Sequence, residues 1–218
     1  MSPELDLKQL ERKAWRSIFQ DGLYDIFLGI LILHMGFVYI LSQSDLETSI
    51  MTTLNMGIYL LVVVLLYVGK RFITVPRAGW VKFGPKRRGK LAWLFGVYFV
   101  MLVVVLAGTL FTLNNGVNFL PEPVKNALSV SWLSIFLLLF FGVPAFLLKY
   151  DRLYLIAVMF ALPEPLMALF KGLWGIELGF FAYAVPALVV LIMGIIVLQR
   201  FIKTYPVVKA DEEENSHA

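Results

Sequence analysis

Cysteine is missing from the chain altogether. That excludes a disulfide framework, a thiolate nucleophile and a cysteine-ligated metal. Histidine occurs twice, as His34 and His217, and the second sits at the very end of the sequence. No metal site is therefore expected. The chain has no Walker loop, glycine-rich dinucleotide fingerprint, HExxH or GxSxG. The common nucleotide-binding, metalloprotease and serine-hydrolase chemistries lack their marks, so no catalytic residue and no cofactor is expected. Charge is also scarce: 16% of the 218 residues are charged, against 60% hydrophobic. Residues 1–20 carry both charge signs and lack an apolar h-region and a small-residue cleavage site, so no cleavable signal peptide is expected there.

What charge there is lies between long apolar runs, at about 22–42, 49–69, 91–113, 130–149, 153–171 and 178–199. Each is close to the roughly 20 residues a helix needs to cross hydrocarbon. A soluble domain of this size could not hide so much apolar surface. Lipid cannot satisfy an open backbone, and the runs lack the alternation of a membrane barrel. The expected fold is all-α and integral to the membrane, with six transmembrane helices over 21–203.

Seventeen of the nineteen Lys and Arg residues fall in the N-terminal segment, residues 70–90, the turn at 149–152 and the C-terminal tail; Lys125 and Lys171 alone fall on the other side. That asymmetry predicts both termini in the cytoplasm of a plasma (inner) membrane protein. The net charge of +4 then has a topological origin and no nucleic-acid partner is implied. In the N-terminal segment, Leu7, Leu10, Ala14, Trp15 and Ile18 fall at helical spacing, with Lys8, Arg12, Lys13 and Arg16 largely elsewhere. It reads as an amphipathic interfacial helix, lying on the inner leaflet or packed on the protein's own cytoplasmic loops. The tail, 204–218, reads as solvated and disordered.

The stretch 70–90, KRFITVPRAGWVKFGPKRRGK, has eight basic residues and no acid, and reads as a basic cytoplasmic loop. Trp80 and Phe83 suit the headgroup zone, and Arg77, Lys82, Lys86, Arg87, Arg88 and Lys90 would attract anionic lipid. Pro76, Gly79 and Gly84 imply a folded turn. The reading of this loop as an orientation signal alone stays open beside the reading as a lipid-binding element.

Two recurrences stand out. Tyr24-Asp25 and Arg71-Phe72-Ile73 with Pro76 bracket spans one and two; Tyr150-Asp151 and Arg200-Phe201-Ile202 with Pro206 bracket spans five and six. A parallel repeat of the two hairpins, or chance, accounts for this. Leu-Pro-Glu-Pro occurs at 120–123 and at 162–165, and the second copy lies inside span five. Proline removes backbone bonds, so span five is expected in two pieces, about 153–162 and 164–171.

Ionisable groups at membrane depth are costly and mark sites. His34 and Glu164 each lie about 16–18 Å in, at roughly 1.5 Å per residue. A hydrogen-bonded His34–Glu164 pair is one expectation; a histidine satisfied by a helix carbonyl and a glutamate facing water is the other. Asp21 and Asp25, four apart at the cytoplasmic end of span one, are expected to pair with Arg77, Lys82 or Arg152 in an inner-interface cluster; a metal or phosphate-handling site is the other reading, though two carboxylates lack a further ligand cluster. Gly22, Gly29 and Gly36 recur every seven residues and imply close helix packing, within the protomer or in a homodimer.

The segments Asp21-Gly22-Leu23-Tyr24-Asp25-Ile26-Phe27-Leu28-Gly29 and Val75-Pro76-Arg77-Ala78-Gly79-Trp80-Val81-Lys82-Phe83 resemble a group of small prokaryotic polytopic membrane proteins carrying a PRxGxVKF cytoplasmic loop between spans two and three. The resemblance covers residues 20–90 best. It implies an inner-membrane protein and no particular activity. Three functions fit the sequence: a transporter or lipid-binding protein with a midplane polar site, a membrane scaffold or sensor that engages anionic lipid or a partner through the basic loop, and an intramembrane lipid-modifying enzyme.

Overall fold

A computed structural model of the chain describes residues 21–78, 93, 95–104, 106–107, 122–175 and 177–206. All regular structure among them is helical: α1 (Leu23–Ser42), α2 (Thr48–Gly69), a π turn (Lys70–Thr74), α3 (Val75–Ala78), α4 (Phe95–Val104), α5 (Glu122–Leu148), α6 (Arg152–Ala161), α7 (Pro163–Trp174) and α8 (Phe181–Thr204). Four segments are long and apolar enough to cross a membrane: Leu23–Ser42, Thr48–Arg77, Arg152–Trp174 and Phe181–Thr204. Phe95–Val104 and Trp132–Leu148 are shorter apolar helices. The expected N-terminal helix, the tail beyond Pro206 and most of the basic stretch lie outside the described residues.

The chain forms two compact units, divided after Lys82 and after Pro186. In the unit holding α1, α2, α3 and the later part of α8, the link 43–47 is short, and α1 and α2 fold back on each other as a hairpin. Ser42 and Ser44 donate their hydroxyls to the carbonyls of Tyr39 and Leu41, closing the end of α1. Almost all of α2 is uncovered; Val62 is its buried apolar residue. Such an apolar surface suits lipid and would be untenable in water.

The second span does not stop at residue 69. It runs on as helix through Arg77, so the first residues of the expected loop are helical. The π turn accommodates this. It carries one extra residue per turn, with the Val75 N–H reaching the Lys70 carbonyl. Pro76, which has no N–H to donate, follows at once.

In the other unit, α5 packs on α6. The Phe141 and Phe160 rings stack 4.5 Å apart and Ala145 is fully buried. α5 ends in a six-to-one bond from the Tyr150 N–H to the Ala145 carbonyl (3.0 Å), with Lys149 left-handed (φ 54) where glycine is usual. Asp151 and Arg152 then start α6.

Proline shapes this unit. Pro144 lies inside α5, so the Phe140 carbonyl loses its helical donor. The Tyr98 hydroxyl donates to that carbonyl at 3.1 Å, and the two rings pack 4.6 Å apart. A neighbouring side chain thus repairs the backbone, as hydrocarbon requires. Tyr98→Phe keeps the ring contact and is expected to cost about 1 kcal/mol. Pro144→Ala returns the N–H, so the two changes together should cost less than the sum of the separate losses. Reversible unfolding in mixed micelles checks this cycle, and strict additivity would refute the repair.

The break expected in span five falls at Leu162, between α6 and α7. Leu162 keeps right-handed helical angles, and its N–H bonds the Val158 carbonyl at 2.9 Å. The path is helical on both sides, but Pro163 and Pro165 withhold donors from the carbonyls of Met159 and Ala161.

Candidate functional site

Three polar groupings stand out, each within one unit. The first lies where α1 begins. Asp21 is completely buried and its carboxylate is shared by three donors. Oδ1 accepts the Leu23 N–H (3.1 Å), a turn that starts the helix. Oδ2 accepts from the Lys70 ammonium (2.6 Å) and the Thr74 hydroxyl (2.5 Å). Lys70 also stands over the Tyr24 ring at 4.1 Å, a cation–π contact. Asp25, one turn on, is likewise fully buried and sits in the first turn of α1, where the helix dipole favours an anion. The π turn places Lys70 and Thr74 on one carboxylate.

Of the partners expected for the two aspartates, Arg77 turns back on its own helix: its Nη1 donates to the Ile73 carbonyl at 2.9 Å. Arg152 belongs to the other unit, where its guanidinium lies 5.4 Å from the Tyr150 ring centroid. Lys82 lies outside the described residues, as do Trp80, Phe83, Lys86, Arg87, Arg88 and Lys90. Sequence reasoning missed Lys70 and Thr74. A hairpin folded about a link centred near residue 45 sets Asp21 opposite residue 69 or 70, and that symmetry was available to find them.

The second grouping surrounds His34, which is 2% exposed. Its ring stands edge-on to Tyr59 of α2, with centroids 4.7 Å apart. Neither ring nitrogen has a hydrogen-bond partner among the described residues, and neither does the buried Asn55 Oδ1. A buried polar atom left unpaired costs about 1–3 kcal/mol.

The third grouping is at the broken span. Glu164, second residue of α7, accepts a hydrogen bond from the Tyr183 hydroxyl of α8. Ten residues separate Glu164 from Trp174, about 15 Å of helix. Tyr183 nevertheless meets Glu164, a return that six extended residues can span. The N-terminal ends of α7 and α8 meet at this carboxylate, and their dipoles favour its charge. Pro186 additionally removes the donor to the Ala182 carbonyl next to Tyr183.

His34 and Glu164 belong to different units, and each is held by a tyrosine of its own unit. At the far end of α7, Lys171 pairs with Glu177 at 2.7 Å, both largely exposed. The Lys171 hydrogen bond and then its charge hold the Glu177 carboxyl below the ordinary range, against a small opposing effect of burial. Whatever that pair contributes is present above the ordinary carboxyl range and fades as pH falls through the lowered value. Among the described residues no group of three or more His, Cys, Asp or Glu could hold a metal.

No protein-family model matches the chain, and no curated protein or solved structure matches it.

Proposed function

We propose that the protein is a six-span inner-membrane transporter, both termini cytoplasmic, in which Glu164 takes up and releases the coupling proton. The observation that carries this reading is a carboxylate on a proline-interrupted helix whose partner among the described residues is a hydroxyl rather than a cation. Glu164 lies twelve residues from Arg152 and seven from Lys171, about 18 and 10 Å of helix. Between those two charged ends it is surrounded by apolar sequence. An ion pair would pin such a group in one state; a neutral phenol leaves it free to exchange a proton. Interrupted helices whose ends converge on a polar group are the recurrent site architecture of secondary transporters. The basic stretch 70–90 serves orientation and contact with anionic headgroups in this reading.

The test is proton flux in vesicles reconstituted with the full chain, driven by a potassium diffusion potential and followed by an entrapped pH dye. The native chain is expected to carry protons well above empty vesicles. Glu164→Gln should lose at least tenfold of the added flux, about 1.4 kcal/mol in barrier. Glu164→Asp should retain part of it, and Tyr183→Phe should slow it. Flux in Glu164→Gln equal to that of the native chain, or native vesicles no leakier than empty ones, overturns the reading.

A further inference from the structure

Midway along the first hairpin, three buried hydrogen-bonding atoms have no partner among the described residues: both ring nitrogens of His34 and Oδ1 of Asn55. Asn55 lies one turn before Tyr59 on the same face of α2, and Tyr59 is the residue whose ring meets His34. Asn55 Oδ1 is buried on a helix that is otherwise almost uncovered, and α1 packs along that helix. The three atoms therefore share the seam between α1 and α2. His34 is eleven residues from Leu23 and eight from Ser42, about 17 and 12 Å from the two ends of α1.

The chemistry of these atoms says what they bind. A neutral imidazole offers one donor and one acceptor, and an imidazolium offers two donors. In either form two partners are needed, on opposite edges of the ring. Asn55 Oδ1 needs a donor. A single water at one edge of the imidazole cannot reach the other edge. Among the described residues no cluster of ligands would suit a metal ion here.

We infer that His34 and Asn55 hold at least two ordered waters inside the first hairpin, with the imidazole between them. A buried water typically makes about three hydrogen bonds to otherwise unmatched polar groups, which this seam provides. Water–imidazole–water is a proton-relay arrangement, since the ring can accept at one nitrogen and release at the other. This hydration goes beyond the role proposed for Glu164 and stands whether or not Glu164 moves protons.

Radiolytic hydroxyl labelling of the full chain in lipid nanodiscs, read residue by residue by mass spectrometry, tests it. Water held at His34 generates radicals beside Tyr59. Met56 is 67% exposed and sits at nearly the same depth, so it reports water arriving from the lipid side. Tyr59 should be labelled several-fold more than Met56, and that excess should vanish in Asn55→Leu and His34→Leu. A second measurement needs no seam variant. With His217→Ala in the tail, His34 is the sole histidine, and solid-state NMR should show magnetisation passing from water protons to both ring nitrogens. Labelling of Tyr59 no greater than of Met56, or ring nitrogens with no water contact, overturns the inference.

Discussion

Asp21→Ala is expected to destabilise the protein by about 3–5 kcal/mol, the cost of stripping one partner from a buried ion pair. The carboxylate is wholly buried and serves Leu23, Lys70 and Thr74 together. Without it, Lys70 loses its 2.6 Å partner, while the Tyr24 face and the more distant charge of Asp25 remain beside it. The Leu23 N–H at the start of α1 also loses its cap. Asp21→Asn should cost less, because an amide oxygen can still accept from Leu23 or Thr74. The decisive comparison is Asp21→Ala with Lys70→Met. If the pair is the main term, the double variant recovers part of the single loss, since the ammonium has gone together with its carboxylate and the methionine stem fills the same volume. Reversible unfolding in mixed micelles gives the four free energies. An Asp21→Ala protein that unfolds at the native midpoint would show that the ion pair contributes nothing to stability.

The parts of this architecture that could be read from residues are those that local chemistry dictates. Apolar runs bounded by Lys and Arg become helices because nothing else satisfies a backbone in hydrocarbon. The runs beginning near residues 22, 49, 153 and 178 correspond to the four segments long and apolar enough to cross a membrane. The break at Leu162 was legible because Pro163 and Pro165 cannot donate. The extension of the second span through Arg77 was not. Composition changes from apolar to basic at Lys70, but a helix continues wherever its polar side chains find partners, and Lys70 and Thr74 find Asp21. No sequence pattern announces a π turn, and the carboxylate that its Lys70 and Thr74 meet lies about fifty residues earlier in the chain. The repeated signatures likewise say little about surroundings. Asp25 is buried while Asp151 is exposed, and Phe72 is 68% exposed while Phe201 is 3%. Buried or exposed is decided by the neighbouring helix, which the short motif does not contain. His34 and Glu164 stood out by depth alone, but their partners, Tyr59 and Tyr183, come from tertiary packing. Nothing in the apolar runs distinguished those tyrosines from others that merely face lipid.

The glycine spacing yields the second large effect. Gly22 and Gly29 do pack closely, and their partner is α8 of the same chain. A Cβ at Gly22 would lie 2.5 Å from the Gly194 carbonyl oxygen and 2.8 Å from the Leu198 nitrogen. A Cβ at Gly194 would lie 2.8 Å from the Ile26 nitrogen. Backbone meets backbone here, so neither helix can yield by turning a side chain. Gly22 also has φ 76, a left-handed conformation that costs an L-residue roughly 1–2 kcal/mol before any clash. Gly22→Ala should lose that amount and a further 1–3 kcal/mol or so from overpacking. Gly194→Ala should lose the overpacking part alone, because its backbone is ordinary helix. Gly57 is the control: it has open space where a Cβ would stand, so Gly57→Ala should be neutral or add up to about 1 kcal/mol through helix propensity. The order Gly22→Ala, then Gly194→Ala, then Gly57→Ala in unfolding midpoints is a consequence of geometry alone. Three equal midpoints would mean that α1 and α8 do not cross at Gly22 and Gly194.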